Sequence, residues 1–206
     1  MARSSEGHNV LHSAALSENS DKFSTMDYLM KKHPQLKDDI TNNGWTIPHC
    51  CSTGSDVKVM EIMLQVGLDI RARTKEGNNV LHIAAGNNNL AIVNYLIKEC
   101  PQLIQETNNQ GLTSIHEAAR GGDVQIIEAL IKAGSDIMAK TNAGNNILHI
   151  TSLCNNLHAK KYLMKTYPEL KQGITNKGWT ILHCCSQGGG VKSMEFLLQE
   201  GFDCKD

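Results

Sequence analysis

The chain has 206 residues, and 20 lysines and arginines against 21 aspartates and glutamates leave a formal net charge of −1. So even a balance exerts no long-range pull on nucleic acid or anionic lipid, and only a local patch would attract either. Apolar residues make up 40% but aromatic ones only 4%, so packing has to come from aliphatic and small side chains in thin layers. The longest apolar runs are broken by charge within a few residues, so no membrane-spanning helix is expected. Residues 1–7 lack the apolar centre of a signal peptide. Seven cysteines, none in a Cys-x-x-Cys pair, fit a reducing, intracellular and cytoplasmic setting better than a disulfide framework.

One phrase recurs along the chain: glycine, two variable residues, two small or apolar residues, then histidine. It ends at His12, His49, His82, His116, His149 and His183, at separations of 37, 33, 34, 33 and 34 residues. A period near 33 marks a stacked array. The array has six units, about 6–41, 42–74, 75–107, 108–141, 142–174 and 175–206. Each is too small to hold a core alone, so the whole of 1–206 forms one elongated domain.

In unit one, His12, Ala14 and Ala15 open a first short helix, and Met26, Leu29 and Met30 belong to a second. The polar stretch 17–22 between them is a longer loop and accounts for the 37-residue spacing; loops absorb such insertions at small entropic cost. Unit two carries Val57, Val59, Met60, Met63 and Leu64 at helical spacing, and unit three carries Leu90, Ile92, Val93, Leu96 and Ile97. Val124, Ile126, Ile127, Leu130 and Ile131 follow in unit four. Units five and six have Leu157, Tyr162, Leu163 and Met164, then Val191, Met194, Phe196, Leu197 and Leu198. Odd units close on Lys-x-x-Pro, at Pro34, Pro101 and Pro168. Even units close on Gly67, Gly134 and Gly201, each followed by Asp two residues later. Proline forbids continuation and glycine permits a left-handed cap, so both devices end the second helix. Segments 44–68 and 178–202 are nearly the same sentence 134 residues apart, which points to duplication of a pair of units.

Unit four, with Gly111, Thr113, His116, Ala118, Ala119, Gly122, Leu130, Gly134 and Asp136, closely resembles the ankyrin repeat. The resemblance covers nearly the whole chain. It implies an all-α solenoid of helix-turn-helix units joined by β-hairpin fingers, a fold that usually binds another macromolecule on its fingertips and inner helices. There are departures. No unit has proline just before the leucine slot, and Pro48 fills that slot itself in unit two. Asn9, Asn79 and Asn146 replace the family threonine, which is expected to alter turn hydrogen bonding without loss of the fold.

The six recurring histidines read as structural, because an imidazole both donates and accepts and so ties neighbouring turns. Thr46, Thr113 and Thr180 are available partners. His49-Cys50-Cys51 and His183-Cys184-Cys185 invite a thiolate–imidazole reading. Consecutive helical residues, however, point about 100° apart, whereas shared ligation needs a spacing of three or four. Cys51 and Cys185 occupy the slot that holds Ala14, Ala84 and Ala118, the place of a small buried residue. Gly188-Gly189-Gly190 lacks the Lys-Ser/Thr of a phosphate loop and reads as a loose turn. No serine elbow or paired-carboxylate helix is present, so no enzyme activity, cofactor or metal is expected. Trp45 and Trp179 follow the finger glycine, a slot that in the family faces outward and often touches ligands. Two readings stay open: a binding hot spot, or rings lying against the adjacent finger. Arg71, Arg73, Lys75, Arg120 and Lys140 form either a mildly basic strip or a solvated face.

The function expected is a non-enzymatic, monomeric scaffold that binds another protein on its concave face. Trp45, Leu112 and Trp179 would supply apolar contact, with Asn109 and Arg120 supplying directional bonds. Neither nucleic-acid binding nor membrane insertion is expected. The alternative is a regulatory or anchoring domain of a larger enzyme or ion channel. The apolar pattern Val191, Met194, Phe196 and Leu197 in the last helix lacks the polar face that ends an array, so the chain reads as part of a longer protein. A third reading is metal or redox sensing through the His-Cys-Cys pairs.

Overall fold

The computed structural model describes residues 3–17, 19, 21–54, 56–121 and 123–203. Glu18 and Ser20 of the long loop and Gly122 of the repeat pattern lie outside them. Each unit contributes two antiparallel α-helices. They are α1 (Val10–Leu16) with α2 (Lys22–Lys32), α3 (Ile47–Cys51) with α4 (Val57–Gln65), and α5 (Val80–Gly86) with α6 (Leu90–Glu99). The second half continues with α7 (Ser114–Gly121) and α8 (Val124–Lys132), α9 (Ile147–Leu153) and α10 (Leu157–Thr166), then α11 (Ile181–Gly188) and α12 (Val191–Gln199). The first helix of each unit packs on the first helix of the next, and the second helices form an outer layer. The result is an all-α solenoid.

These helices are too short to stand alone, since about three turns or fewer cannot repay nucleation. They persist because they bury apolar faces against one another, and the first helices of the units are in addition capped. Asn9, Asn79 and Asn146 cap α1, α5 and α9, while Thr46 and Thr180 cap α3 and α11. In all five the repeat histidine sits three residues in and completes a reciprocal capping box. In unit two, for example, Thr46 Oγ1 lies 2.8 Å from His49 Nδ1, and the Thr46 N–H donates to the same nitrogen at 3.2 Å. That leaves the His49 proton on Nε2, which donates to the Asn78 carbonyl of the next unit at 3.1 Å. His12 and His82 reach the Trp45 and Leu112 carbonyls in the same way, at 3.3 and 2.9 Å. The Nε2 atoms of His116 and His149 are buried without a partner at hydrogen-bonding geometry, although the nearby backbone at Ala139 and Trp179 offsets part of their burial. His183 is exposed.

The core is one continuous aliphatic layer between the two helical rows, with Leu11, Ile47, Leu81, Ile115, Leu148 and Ile181 among its fully buried members. Burial of each is worth roughly 1.5–3 kcal/mol. Pro48 is also buried, and at the second position of α3 its missing N–H costs nothing.

The odd–even alternation has a structural cause that goes beyond stopping a helix. In odd units Pro34, Pro101 and Pro168 each start a 3-10 turn, Pro34–Asp38, Pro101–Gln105 and Pro168–Gln172. The capping asparagine of the same unit donates its amide to that turn: Asn9 to Leu36 O at 3.0 Å, Asn146 to Leu170 O at 3.1 Å. Asn79 Nδ2 reaches Glu106 Oε2 at 2.7 Å and Leu103 O at 3.5 Å. Threonine has no amide to donate, so asparagine stands where a 3-10 turn follows.

The expected fingers are tight turns, with no strand among the described residues. They are chained tip to tip: Asn109 N–H to Glu76 O, Asn142 N–H to Gln110 O and Asn176 N–H to Ala143 O, at 3.0, 2.9 and 3.0 Å. Gly111 sits at φ 74°, and a Cβ there would come within 2.6 Å of the Asn142 backbone nitrogen. The turn demands glycine both for its backbone angle and for the closeness of the next tip.

Burial holds the His49, His82 and His116 imidazoles down to about 4 from the ordinary 6.5. The folded values lie below the unfolded one, so the unfolded chain takes up protons first as pH falls. Stability is fully present above pH 6.5 and lost as pH falls towards 4, by up to about 3 kcal/mol per histidine. Urea midpoints measured from pH 7.5 to 4 should drop through that window and level off below it. His116→Ala should cost about 1–3 kcal/mol at neutral pH, read as a lower midpoint, and should flatten the same pH slope.

Candidate protein-binding trough

Between the finger turns and the inner helices runs a trough that spans units three to six. Its first segment is bounded by Glu76, His82, Glu117 and Arg120. The second contains Asn109, Leu112, Arg120, Asn145, Leu153 and Cys154. The third shares Asn145 and Leu153 with the second and extends to Trp179 and Gln187. Arg120 lines both of the first two segments, so the depressions follow one another along the same side of the array. Apolar floor with a few converging amides and one guanidinium is the composition of a surface that binds another molecule.

The structure brings four of the five sequence-predicted contact residues to this trough: Asn109, Leu112, Arg120 and Trp179. Trp45 belongs to the unit-two finger and does not line it. Leu112 is only 5% exposed, so it forms floor rather than a projecting contact. Both tryptophans are half-buried and lean on the histidine of their own unit. Ring centres are 6.3 Å apart for Trp45 and His49, and 6.5 Å for Trp179 and His183.

The electrostatics are more even than a basic strip. Arg73 is tied to Glu106 at 2.9 Å and to the Thr107 and Gly77 carbonyls at 2.7 and 3.0 Å. Arg120 pairs with Glu117 at 3.3 Å, whose carboxyl is raised from its ordinary range by burial, opposed by Arg120. Paired charges at a trough offer directional contacts without a strong field.

The His-Cys-Cys stretches do not converge as a site. Both nitrogens of His49 are already engaged. Burial pushes the Cys50 thiol up to about 12 and, with Cys185 beside it, the Cys184 thiol up to about 11. Among the described residues no three His, Cys, Asp or Glu side chains come together as metal ligands. Sequence reasoning missed Lys160. It lies eleven residues after His149, in the register that places Met60, Val93, Ile127 and Met194 after their own histidines. Its side chain is fully buried, with Nζ 3.6 Å from Cys185 Sγ. The register itself was the available signal: a lysine in an apolar slot.

Paired helices, a histidine capping box and stacked turns define a helical repeat solenoid. The model of the ankyrin repeats matches residues 53–141 and 134–206, and the chain belongs to the ankyrin-repeat family. It is 27% identical to the nuclear factor NF-kappa-B p105 subunit of Gallus gallus over 158 residues, 75% of this chain and 16% of that protein. It is 29% identical over 158 residues to a Danio rerio protein named "Putative palmitoyltransferase ZDHHC13", covering 77% of this chain and 24% of that one. Over 204 residues it is 25% identical to the transient receptor potential cation channel subfamily A member 1 of Homo sapiens, 97% of this chain and 15% of the channel. The chain thus spans a quarter or less of the length of each. No helix among the described residues is long and apolar enough to cross a membrane.

Thiol accessibility follows from this geometry. Cys154 is exposed whereas Cys50, Cys51 and Cys184 are buried. In the native protein Cys154 should react with a maleimide at least about a hundredfold faster than those three, because labelling of a buried thiol requires local opening. Peptide mapping after timed quenching reads the rates directly.

Proposed function

We propose that the chain is a non-enzymatic, intracellular recognition scaffold, monomeric by itself, that holds another protein along the trough of units three to six. The observation that carries this reading is the row of three neighbouring depressions that share Arg120, or Asn145 and Leu153, as lining. An isolated pocket suits a small ligand, whereas a long shallow trough edged by amides suits a polypeptide. Asn109 and Arg120 supply directional contacts, and Leu112 supplies floor. Trp179 presents a half-exposed ring, and aromatic and arginine side chains are enriched where binding energy concentrates. Trp45 serves the same face only if the partner extends past the trough to unit two.

A second reading makes this array the regulatory or anchoring part of a larger enzyme or ion channel. It is favoured by relatives that include a palmitoyltransferase and a cation channel, of which the chain spans 24% and 15%. The two readings share the trough and differ in what lies beyond the array.

Affinity capture followed by binding measurements with the captured protein tests the trough. Arg120→Ala/Trp179→Ala should weaken binding by at least about tenfold with an unchanged melting temperature. Gln125→Ala/Lys132→Ala, on the outer helix α8, should leave it intact. Equal binding by both folded variants removes the trough from the function.

A further inference from the structure

The buried Lys160 has no packing explanation. Methionine fills the same register in units two and six, at Met60 and Met194, and branched aliphatics fill it in units three and four. A lysine there places an amine, fully buried, where an apolar chain would serve. No carboxylate stands among the groups that act on its charge; the nearby groups are the Cys185 and Cys184 thiols. Burial lowers the lysine below its ordinary range, opposed by those thiols, because an ammonium without a counter-charge is costly to desolvate. The result is a primary amine held on α10 against a sulfur on α11, with Nζ to Sγ at 3.6 Å. The sulfur's other polar neighbour is the Gly190 carbonyl at 4.0 Å.

We propose that Lys160 and Cys185 form a modification site at which a peroxide joins the two side chains through a sulfur–nitrogen bond. The inference is independent of what the trough binds. In the first step the Cys185 sulfur attacks the O–O bond of hydrogen peroxide. The sulfur gives up two electrons and becomes a sulfenic acid, and one oxygen leaves as water. In the second step the Nζ lone pair attacks that sulfur and the S–O bond breaks. The hydroxyl leaves with an amine proton as a second water, and a sulfenamide remains. The pair has lost two hydrogens, and the peroxide has been reduced to two waters. Two equivalents of a small thiol return the electrons and restore amine and thiol, by way of a mixed disulfide on Cys185.

Geometry favours the amine over the neighbouring thiol as the group that traps the sulfenic acid. Cys184 and Cys185 are consecutive on α11, so their side chains diverge by about 100° and do not face each other. Peroxide is close to water in size and enters by the local openings that any repeat array undergoes. Once made, the bond ties the outer helix of unit five to the inner helix of unit six, so an oxidant would fasten covalently two layers otherwise held by packing, hydrogen bonds and an ion pair.

The test uses the 206-residue chain, purified reduced and exposed to a small excess of hydrogen peroxide before free thiols are alkylated. Digestion should yield a linked peptide pair containing Lys160 and Cys185, two hydrogens lighter than the sum of the reduced peptides. Dithiothreitol should abolish it. Lys160→Met, which restores the side chain of units two and six, should lack the link and carry Cys185 on to sulfinic acid about tenfold faster. Cys185→Ala, alanine being the residue of this slot in other units, should also lack the link and provides a control if the methionine variant does not fold. The proposal is overturned if wild-type protein gives no linked pair. It is equally overturned if Cys185 proceeds to sulfinic acid, or to a disulfide with Cys184, as fast with the lysine as without it.

Discussion

Everything in this molecule depends on an imidazole placed at the third position of a short helix. One face of the ring closes the helix start by accepting the backbone N–H of the capping residue, as His49 does for Thr46. The other face donates to a carbonyl in the next unit, as His49 does to Asn78. At His12, His49 and His82 a single side chain thus supplies both the capping that a two-turn helix lacks and a bond to the next layer. The carbonyls it uses belong to Trp45, Asn78 and Leu112, the residues just after the finger glycine. That slot is fixed by its backbone, which frees its side chain to vary between units. The frame therefore uses this position's backbone and leaves its side chain unconstrained.

The alternation between units shows the same economy at a second level. A proline-initiated 3-10 turn lengthens the odd units, and its carbonyls need donors close to the helix start. Asparagine caps the helix through its carbonyl and serves the turn through its amide, as Asn9 and Asn146 do. Glu106 and Arg73 extend this arrangement in unit three, where Asn79, Glu106 and Arg73 form one chain of contacts. Unit five has Gly173 in the acidic position, and there the amide bonds to the turn carbonyl alone.

Function in such an array resides in the few side chains that the frame leaves free. In units three to six these create an apolar trough with paired rather than massed charge. Such a surface depends on shape and hydrogen bonding, in keeping with a net charge close to zero. Lys160 breaks the pattern from inside. It occupies a position where the frame needs only volume, which makes its chemistry the feature to be explained.

The sequence by itself determined the number of units, their spacing, the helix pairs and the structural standing of the histidines. Those follow from a period, and a period is legible because each unit solves the same burial problem with the same residues. It also placed Asn109, Leu112, Arg120 and Trp179 on a common face, because the register of a solenoid maps sequence position onto surface. Tertiary structure alone decided how exposed each would be. Leu112 is drawn into the core cluster, and the two tryptophans lie beside their own histidines, a contact no spacing rule specifies. The fingers closed as turns without strands because tip-to-tip bonds between neighbouring units replace the ladder of a hairpin. The meeting of Lys160 with Cys185 also needed three dimensions: the two residues are 25 apart in sequence, on helices of different units.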